Sequence, residues 1–198
     1  MRCHRECHGH GARAAQSPTC QTAPVTTSQP PLSLAELRPA TPADDAAILA
    51  WNEADVHFLA AMDRPRLEYL KERAAAVEII EEGGQACGFV ITFTSGSDYD
   101  SPNYRWFSRL GSGFHYVDRI VIDPACRGRG LARRVYAVLA QRYPQHPLVA
   151  EVNYAPPNPA SLAMHTAIGF VEVGRLGDRT NGVVMLRRPP EGALHGLG

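Results

Sequence analysis

The sequence lacks an excess of either charge. Lys plus Arg and Asp plus Glu each total 20 in 198 residues, a formal net charge of zero. That balance excludes a general polyanion binder while leaving room for a local basic pocket, so nucleic acid is not an expected partner. Long apolar runs are also missing. None approaches the roughly 20 residues that cross a bilayer, and the N-terminus has no continuous apolar segment of the secretory kind. The expectation is a soluble, cytoplasmic protein with no membrane partner. Cysteine is scarce, since five residues are too few for a disulfide scaffold at this length, and Cys3, Cys7 and Cys20 precede the first regular element. Cys87 and Cys126 are therefore expected to be reduced thiols.

What is present is an ordinary apolar content of 44%, enough for one core plus a tail at roughly 150 residues per domain. Residues 1–33 combine Gly, Pro, Ser, Thr and Gln with no apolar run at helix or strand spacing, which predicts a disordered extension. Its Cys3-His4-Arg5-Glu6-Cys7-His8-Gly9-His10 stretch carries zinc-type ligands, but a structural zinc site joins two separated ligand pairs and the second pair is missing. No metal is expected. The folded domain is placed at 34–190, with a flexible tail at 191–198.

Within that domain, Leu34 to Leu37 suggest a short strand, and Thr41-Pro42-Ala43-Asp44-Asp45 starts a helix running to about Ala60. A second helix spans about Pro65 to Ala76, where Leu67, Leu70 and Ala74 recur at helical spacing. Val77–Glu81 and Cys87–Thr94 read as an antiparallel hairpin around Gly83-Gly84. Ser95 to Gly113 reads as a long functional loop. Then follow a strand at Phe114–Ile122, a helix at Arg127–Arg142, a strand at Leu148–Asn153, a helix at Asn158–Ile168 and two closing strands, Phe170–Arg175 and Val183–Arg187. This is a mixed α/β layer architecture containing one βαβ unit.

The turn Asp123-Pro124-Ala125-Cys126-Arg127-Gly128-Arg129-Gly130-Leu131-Ala132 joins the βαβ strand to its helix. Glycines at a helix N-terminus let main-chain N–H groups approach a phosphate without Cβ obstruction. A Walker loop is excluded because Leu131-Ala132 stands where Lys-Ser/Thr is required. A dinucleotide fingerprint is disfavoured because Arg133 stands where a third small residue is needed. The remaining pattern is Arg/Gln-x-x-Gly-x-Gly/Ala, and Arg127, Gly130 and Ala132 match it.

At these residues the chain resembles the GNAT superfamily of N-acetyltransferases. The resemblance extends through Glu151-Val152-Asn153, then Asn158-Pro159-Ala160-Ser161 with His165, then Gly169-Phe170, in the family's order and spacing. It covers roughly Leu37 to Leu186, and the chain looks like an uncharacterised subgroup of predicted acetyltransferases. The resemblance implies a GNAT-like fold: a central mixed sheet of about six to seven strands flanked by about four helices. It also implies acetyl-CoA as cosubstrate. By resemblance, the main chain of Arg127, Gly128, Arg129, Gly130, Leu131 and Ala132 cradles the diphosphate. Ile120, Val121 and Ile122 line the pantetheine arm, and Asn158 and Ser161 lie beside it.

Acyl transfer to an amine sets its own demands. An amine of pKa about 10.4 is almost wholly protonated at pH 7, so a base must remove a proton; the developing oxyanion needs a donor and the leaving thiolate a proton. Simple strand alternation puts Tyr116, Asp118, Ile120 and Ile122 on one face of their strand and His115, Val117, Arg119 and Val121 on the other. Asp118 and Glu151 are the two carboxylates for the base, each with a structural alternative: a salt bridge for Asp118, a hydrogen bond tying elements together for Glu151. His165 stands where many family members carry a Tyr acid, and an imidazolium there would supply the thiolate's proton. Tyr116 is a second donor, with core packing as its alternative. The acceptor pocket is expected from Asp98, Tyr99, Asp100, Tyr104 and Trp106, joined by Asn153. The expected activity is direct acetyl transfer in a ternary complex to a primary amine of a small molecule or peptide. A catalytically inactive CoA-binding sensor on the same fold is the alternative, and a homodimer stays open.

Overall fold

The computed structural model describes residues 35–190. The N-terminal extension with its Cys/His stretch, and the C-terminal tail, lie outside the described residues. The elements in chain order are β1 (Glu36–Pro39), α1 (Asp45–Ala54), α2 (Arg64–Arg73), β2 (Ala76–Glu82), β3 (Gln85–Thr94), α3 (Pro102–Leu110), β4 (His115–Ile122), α4 (Leu131–Arg142), β5 (Leu148–Ala155), α5 (Pro159–Ala167), β6 (Val171–Gly177) and β7 (Gly182–Arg188). Among the described residues no helix is long and apolar enough to cross a membrane.

The seven strands form one sheet in the order β1-β2-β3-β4-β5-β7-β6. The β2–β3 hairpin forms as expected, because Gly83 and Gly84 supply the two positive φ angles, 59° and 77°, that a tight hairpin turn needs. Helices cover both faces. On one face Val135 and Leu139 of α4 pack with Val117 and Phe170. On the other, Ile48 of α1, Leu67 and Leu70 of α2, and Tyr104 and Phe107 of α3 pack with Phe93 and Tyr116. Both cores are sealed by aliphatic and aromatic burial, the main favourable contribution to folding.

One pair differs from the rest. β4 and β5 are parallel, and their ladder consists of His115 with Leu148 and Tyr116 with Val149 only. Beyond those pairs the two eight-residue strands run on without bonding each other, which opens a cleft in the middle of the sheet. Main-chain donors and acceptors that face the cleft lack a ladder partner there.

Several expectations change. The stretch read as a loop between Ser95 and Gly113 contains helix α3. Ser101 caps it by accepting from the Tyr104 N–H at 3.3 Å, and Pro102 takes the first helical position, a start signal that the surrounding polar residues masked. Helix α1 ends at Ala54 rather than Ala60, and α4 starts at Leu131 rather than Arg127, because Gly130 adopts a left-handed conformation that ends the turn.

Strand β4 does not alternate simply. Arg119 pairs with Ile91 and Val117 with Thr92, leaving Asp118 as a bulge. The bulge resets the pleat, so that Arg119 and Val121 share a face with Tyr116 while Ile120 and Ile122 join Val117. Cys87 and Cys126 are not free thiols. They form a disulfide, Cα to Cα 5.7 Å, that ties β3 to the turn before α4.

Candidate active site

The glycine turn is built by Asp123. One of its carboxylate oxygens accepts from the Ala125 N–H at 2.8 Å and the other from the Trp51 indole N–H at 2.8 Å. The turn then passes through Gly128 and Gly130 at φ of 79° and 74°, and a Cβ at either would meet nothing within 4 Å. These two glycines are required by conformation rather than by crowding, and their open side leaves the main chain of the turn uncovered. No side chain caps α4, so its first-turn N–H groups and the positive end of its dipole stay available. That combination fits a diphosphate.

The four arginines expected to lend charge divide unevenly. Arg127 pairs with both oxygens of Asp55 and donates to the Ile122 carbonyl. Arg129 and Arg134 both bind Glu82. Arg133 is exposed and has no partner among the described residues.

Between the parted strands lies a cleft of about 130 Å³, lined among others by Ile120, Glu151, Asn158, Ser161, His165 and Tyr136. Asn158 caps α5 by accepting from the Ser161 N–H at 3.1 Å. Ile122 is on the same face as Ile120, whereas Val121 is buried in the opposite core. His165 is 3% exposed. Its Nδ1 lies 2.8 Å from the Ser161 carbonyl and must donate to it, which leaves Nε2 to accept from the Tyr136 hydroxyl at 2.8 Å. Burial pushes its pKa down. Desolvation thus disfavours the imidazolium expected at this position.

A larger cavity of about 720 Å³ adjoins this cleft on the α1–α3 side. Phe58 and Leu59 from the segment after α1, Asp118, Arg119, Glu151 and Asn153 line both. Of the expected acceptor residues, Tyr99, Asp100 and Asn153 line this cavity. Asp98 and Tyr104 instead line a separate groove of about 600 Å³. Trp106 lies against β6, where a Cβ at Gly174 would overlap its ring, so it anchors α3 rather than facing the acceptor. The aromatic run thus splits by helical phase, which the loop reading could not anticipate.

The two carboxylates have different surroundings. Asp118 is fully engaged: one oxygen accepts from the Tyr99 hydroxyl at 2.6 Å and the other from Arg119 Nε at 3.0 Å. Glu151 uses only one oxygen. Its Oε1 accepts from Asn103 Nδ2 at 2.9 Å and from the Tyr116 hydroxyl at 2.8 Å, while Oε2 is buried without a partner. Burial, reinforced by the Asp118 charge, pushes the Glu151 pKa up to about 8, against the opposing pull of Asn103, Tyr116 and Arg119. Tyr116 is held as a neutral donor, its pKa raised well above the ordinary phenol value by burial first.

Arg119 and Tyr136 were not singled out from the sequence. The bulge that turns Arg119 toward the cavity leaves no mark in residue order, and Tyr136 reads as one more apolar position on α4.

Known proteins share this fold. The family model of the acetyltransferase (GNAT) family matches residues 43–170, more than half of the chain. The ribosomal-protein-alanine N-acetyltransferase of Brucella melitensis is similar at a TM-score of 0.57 and 25% identity, over 78% of this chain and 99% of that one. The phosphinothricin acetyltransferase of Sinorhizobium meliloti, solved with acetyl-CoA, is similar at a TM-score of 0.56 and 19% identity, over 82% and 92%. The ribosomal-protein-S18-alanine N-acetyltransferase of Escherichia coli is similar at 0.58 and 16%, over 83% and 99%. No curated protein matches the sequence. With a family model spanning the glycine turn, the parted strands and Glu151, the chain belongs to the acetyltransferase (GNAT) family and is an acyltransferase that uses acetyl-CoA.

Proposed function

We propose that this enzyme acetylates a primary amine of a small molecule or peptide by direct attack in a ternary complex, with Glu151 as the base. The observation that carries the reading is Oε2 of Glu151, buried, unpartnered and set in a residue that lines both cavities. An acceptor ammonium against this wall of the larger cavity would give Oε2 the donor it lacks.

Magnitudes favour this carboxylate. Passing a proton from an ammonium of pKa about 10.4 to a carboxylate at its ordinary 4.5 costs about 8 kcal/mol, and to one at about 8 only about 3 kcal/mol. Asn103 and Tyr116 hold the carboxyl in place through Oε1, leaving Oε2 to move the proton. Asp118 lacks a free oxygen and serves instead to fix Arg119 and Tyr99. Acetyl-CoA supplies an activated thioester when bound. Gly128, Gly130 and the uncapped amides of α4 would hold its diphosphate, and Ile120, Asn158 and Ser161 would flank its arm. Tyr136 and His165 form a closed polar pair beside that arm.

Thiol release from acetyl-CoA, measured against amino acids, polyamines, aminoglycosides and peptide N-termini, tests the reading. Acceptor-dependent release lost in Glu151→Gln with acetyl-CoA affinity intact is the expected result. Tight acetyl-CoA binding with no release for any amine would overturn it in favour of a CoA-binding sensor.

A further inference from the structure

The Arg119 guanidinium has a donor left over. The side chain is 4% exposed, with Nε on Asp118 at 3.0 Å and Nη1 shared between Asn52 Oδ1 at 2.5 Å and the Ala60 carbonyl at 2.8 Å. Nη2 bonds to no described residue, and the residue lines both the cofactor cleft and the larger cavity. A buried guanidinium held by three partners in a cavity-lining residue, with one –NH2 uncommitted, is a preorganised donor for an oxygen. The bulge at Asp118 puts it on the face it shares with Tyr116, whose hydroxyl touches Glu151. The cavity wall therefore contains one buried acceptor without a partner, Glu151 Oε2, and one uncommitted donor, Arg119 Nη2.

Resting on the acetyl-transfer reading above, we infer that the acceptor is an α-aminoacyl group, its amine donating to Glu151 and the oxygen on the neighbouring carbon accepting from Arg119 Nη2. An amine on one carbon and an oxygen on the next form a compact unit that offers a partner to each group at once. The charge pattern agrees. Asp118 already offsets the Arg119 charge and Asp100 that of Arg66, so no guanidinium in the cavity demands a full anion and a neutral carbonyl suffices. The proton balance agrees as well, since an α-ammonium with pKa of about 8 matches Glu151 better than an alkylammonium does. A peptide N-terminus and a free amino acid both carry this unit.

The test uses acceptors in matched sets: an amino acid amide, the free amino acid and the corresponding decarboxylated amine, across small, aliphatic and aromatic side chains. The readouts are kcat/KM for thiol release and Kd by calorimetry with CoA-saturated protein. The expected result is a preference of about 10- to 100-fold for the oxygen-bearing member over the bare amine. The ratio of amide to free acid then tells a peptide terminus from an amino acid. Bare amines binding and reacting as well as their aminoacyl partners would overturn the inference while leaving acetyl transfer standing. Release with polyamines or aminoglycosides alone would do the same. Release with no amine of any kind would remove both. Arg119→Lys keeps a cation near Asp118 but removes the second –NH2. Its aminoacyl preference should fall toward unity with acetyl-CoA affinity unchanged, and an undiminished preference in folded Arg119→Lys would overturn the inference. If that variant does not fold, the wild-type series decides alone.

Discussion

The two halves of the cleft are made in opposite ways. The cofactor half is main chain from one continuous stretch, Asp123 to Ala132, shaped by two left-handed glycines and an uncapped helix start. The acceptor half is side chain, assembled from α2, the segments before α2 and α3, and strands β4 to β7. A continuous main-chain site tolerates most side-chain changes but not changes of conformation. An assembled side-chain site is the reverse, since one atom replaced at Glu151 removes its chemistry while the fold around it survives.

The largest expected effect tests the second half of that contrast. Glu151→Gln should lower kcat/KM by about 10²- to 10⁴-fold, the usual range for a lost general base, with the acetyl-CoA Kd unchanged. In the wild type, kcat/KM should rise with pH and level off near pH 8 as Glu151 ionises, and the variant should lose that limb. Stability moves the other way. A carboxyl whose folded pKa is raised from 4.5 to about 8 stabilises the fold fully below pH 4.5, and that contribution is lost as pH rises through about 8. Glu151→Gln should therefore melt higher than the wild type at pH 9 and nearly the same at pH 4. A variant that loses activity and stability together at pH 9 would make Glu151 a structural tie.

The converse change is Gly130→Val. At a φ of 74° a β-branched residue meets open space but pays local strain on the order of 1–3 kcal/mol. Relieving that strain re-aims the N–H groups of the cradle, so the acetyl-CoA Kd should weaken about 5- to 100-fold by calorimetry. Acceptor selectivity should not move, because no acceptor-cavity residue belongs to the turn. A change in selectivity would break the division between the two halves.

This division also explains what the sequence could disclose. The cradle was legible because its requirements are local: a strand, two glycines at fixed offsets and a helix. The seven strands along the chain and the β2–β3 hairpin were legible for the same reason. The acceptor side was not, since its residues meet only after folding. Tyr99 and Tyr104 lie five apart and stay in ring contact at 5.7 Å, yet only Tyr99, which precedes α3, lines the acceptor cavity. The bulge at Asp118 inverts the faces of everything after it, and alternation carries no signal of an inserted residue. Cys87 and Cys126 meet across a separation of 39 residues, a contact that count and compartment could not foresee.

Strands β4 and β5 repeat the contrast along their own length. At the parted end the Glu151 carboxyl is buried beside Asp118, which holds its proton up to about pH 8. At the paired end His115 is buried with neither ring nitrogen bonded, stacked on Tyr143 at 3.7 Å, and desolvation lowers its pKa to about 4. Arg142 and His146, which face it, push in the same direction. A histidine with a depressed folded pKa stabilises the fold above its ordinary 6.5, and the contribution is lost as pH falls from 6.5 to about 4. The span corresponds to about 3 kcal/mol. His115→Phe should flatten the acid limb of thermal stability and leave kcat and both ligand affinities alone. A loss of activity at pH 8 would show that the paired end reports to the site.

The smallest effect concerns the seam between the halves. Asp55 lies just beyond α1, lines the cofactor cleft and holds Arg127 through both of its oxygens. Its negative charge thus opposes the very anion that the neighbouring cradle suits, and it occupies the guanidinium that the glycine turn provides. Asp55→Asn removes the repulsion and loosens the clamp, so acetyl-CoA should bind about 2- to 10-fold more tightly at low ionic strength. The gain should shrink as salt is raised, because Arg127 is solvent-exposed and screening acts over about 10 Å at 0.1 M. The clamp also fixes the start of the segment that carries Phe58 and Leu59 into both cavities. If the two halves are mechanically separate, acceptor KM stays constant while acetyl-CoA affinity rises. If tightening the cofactor instead raises acceptor KM, Asp55 and Arg127 hold the acceptor wall in place, and the seam belongs to both sites.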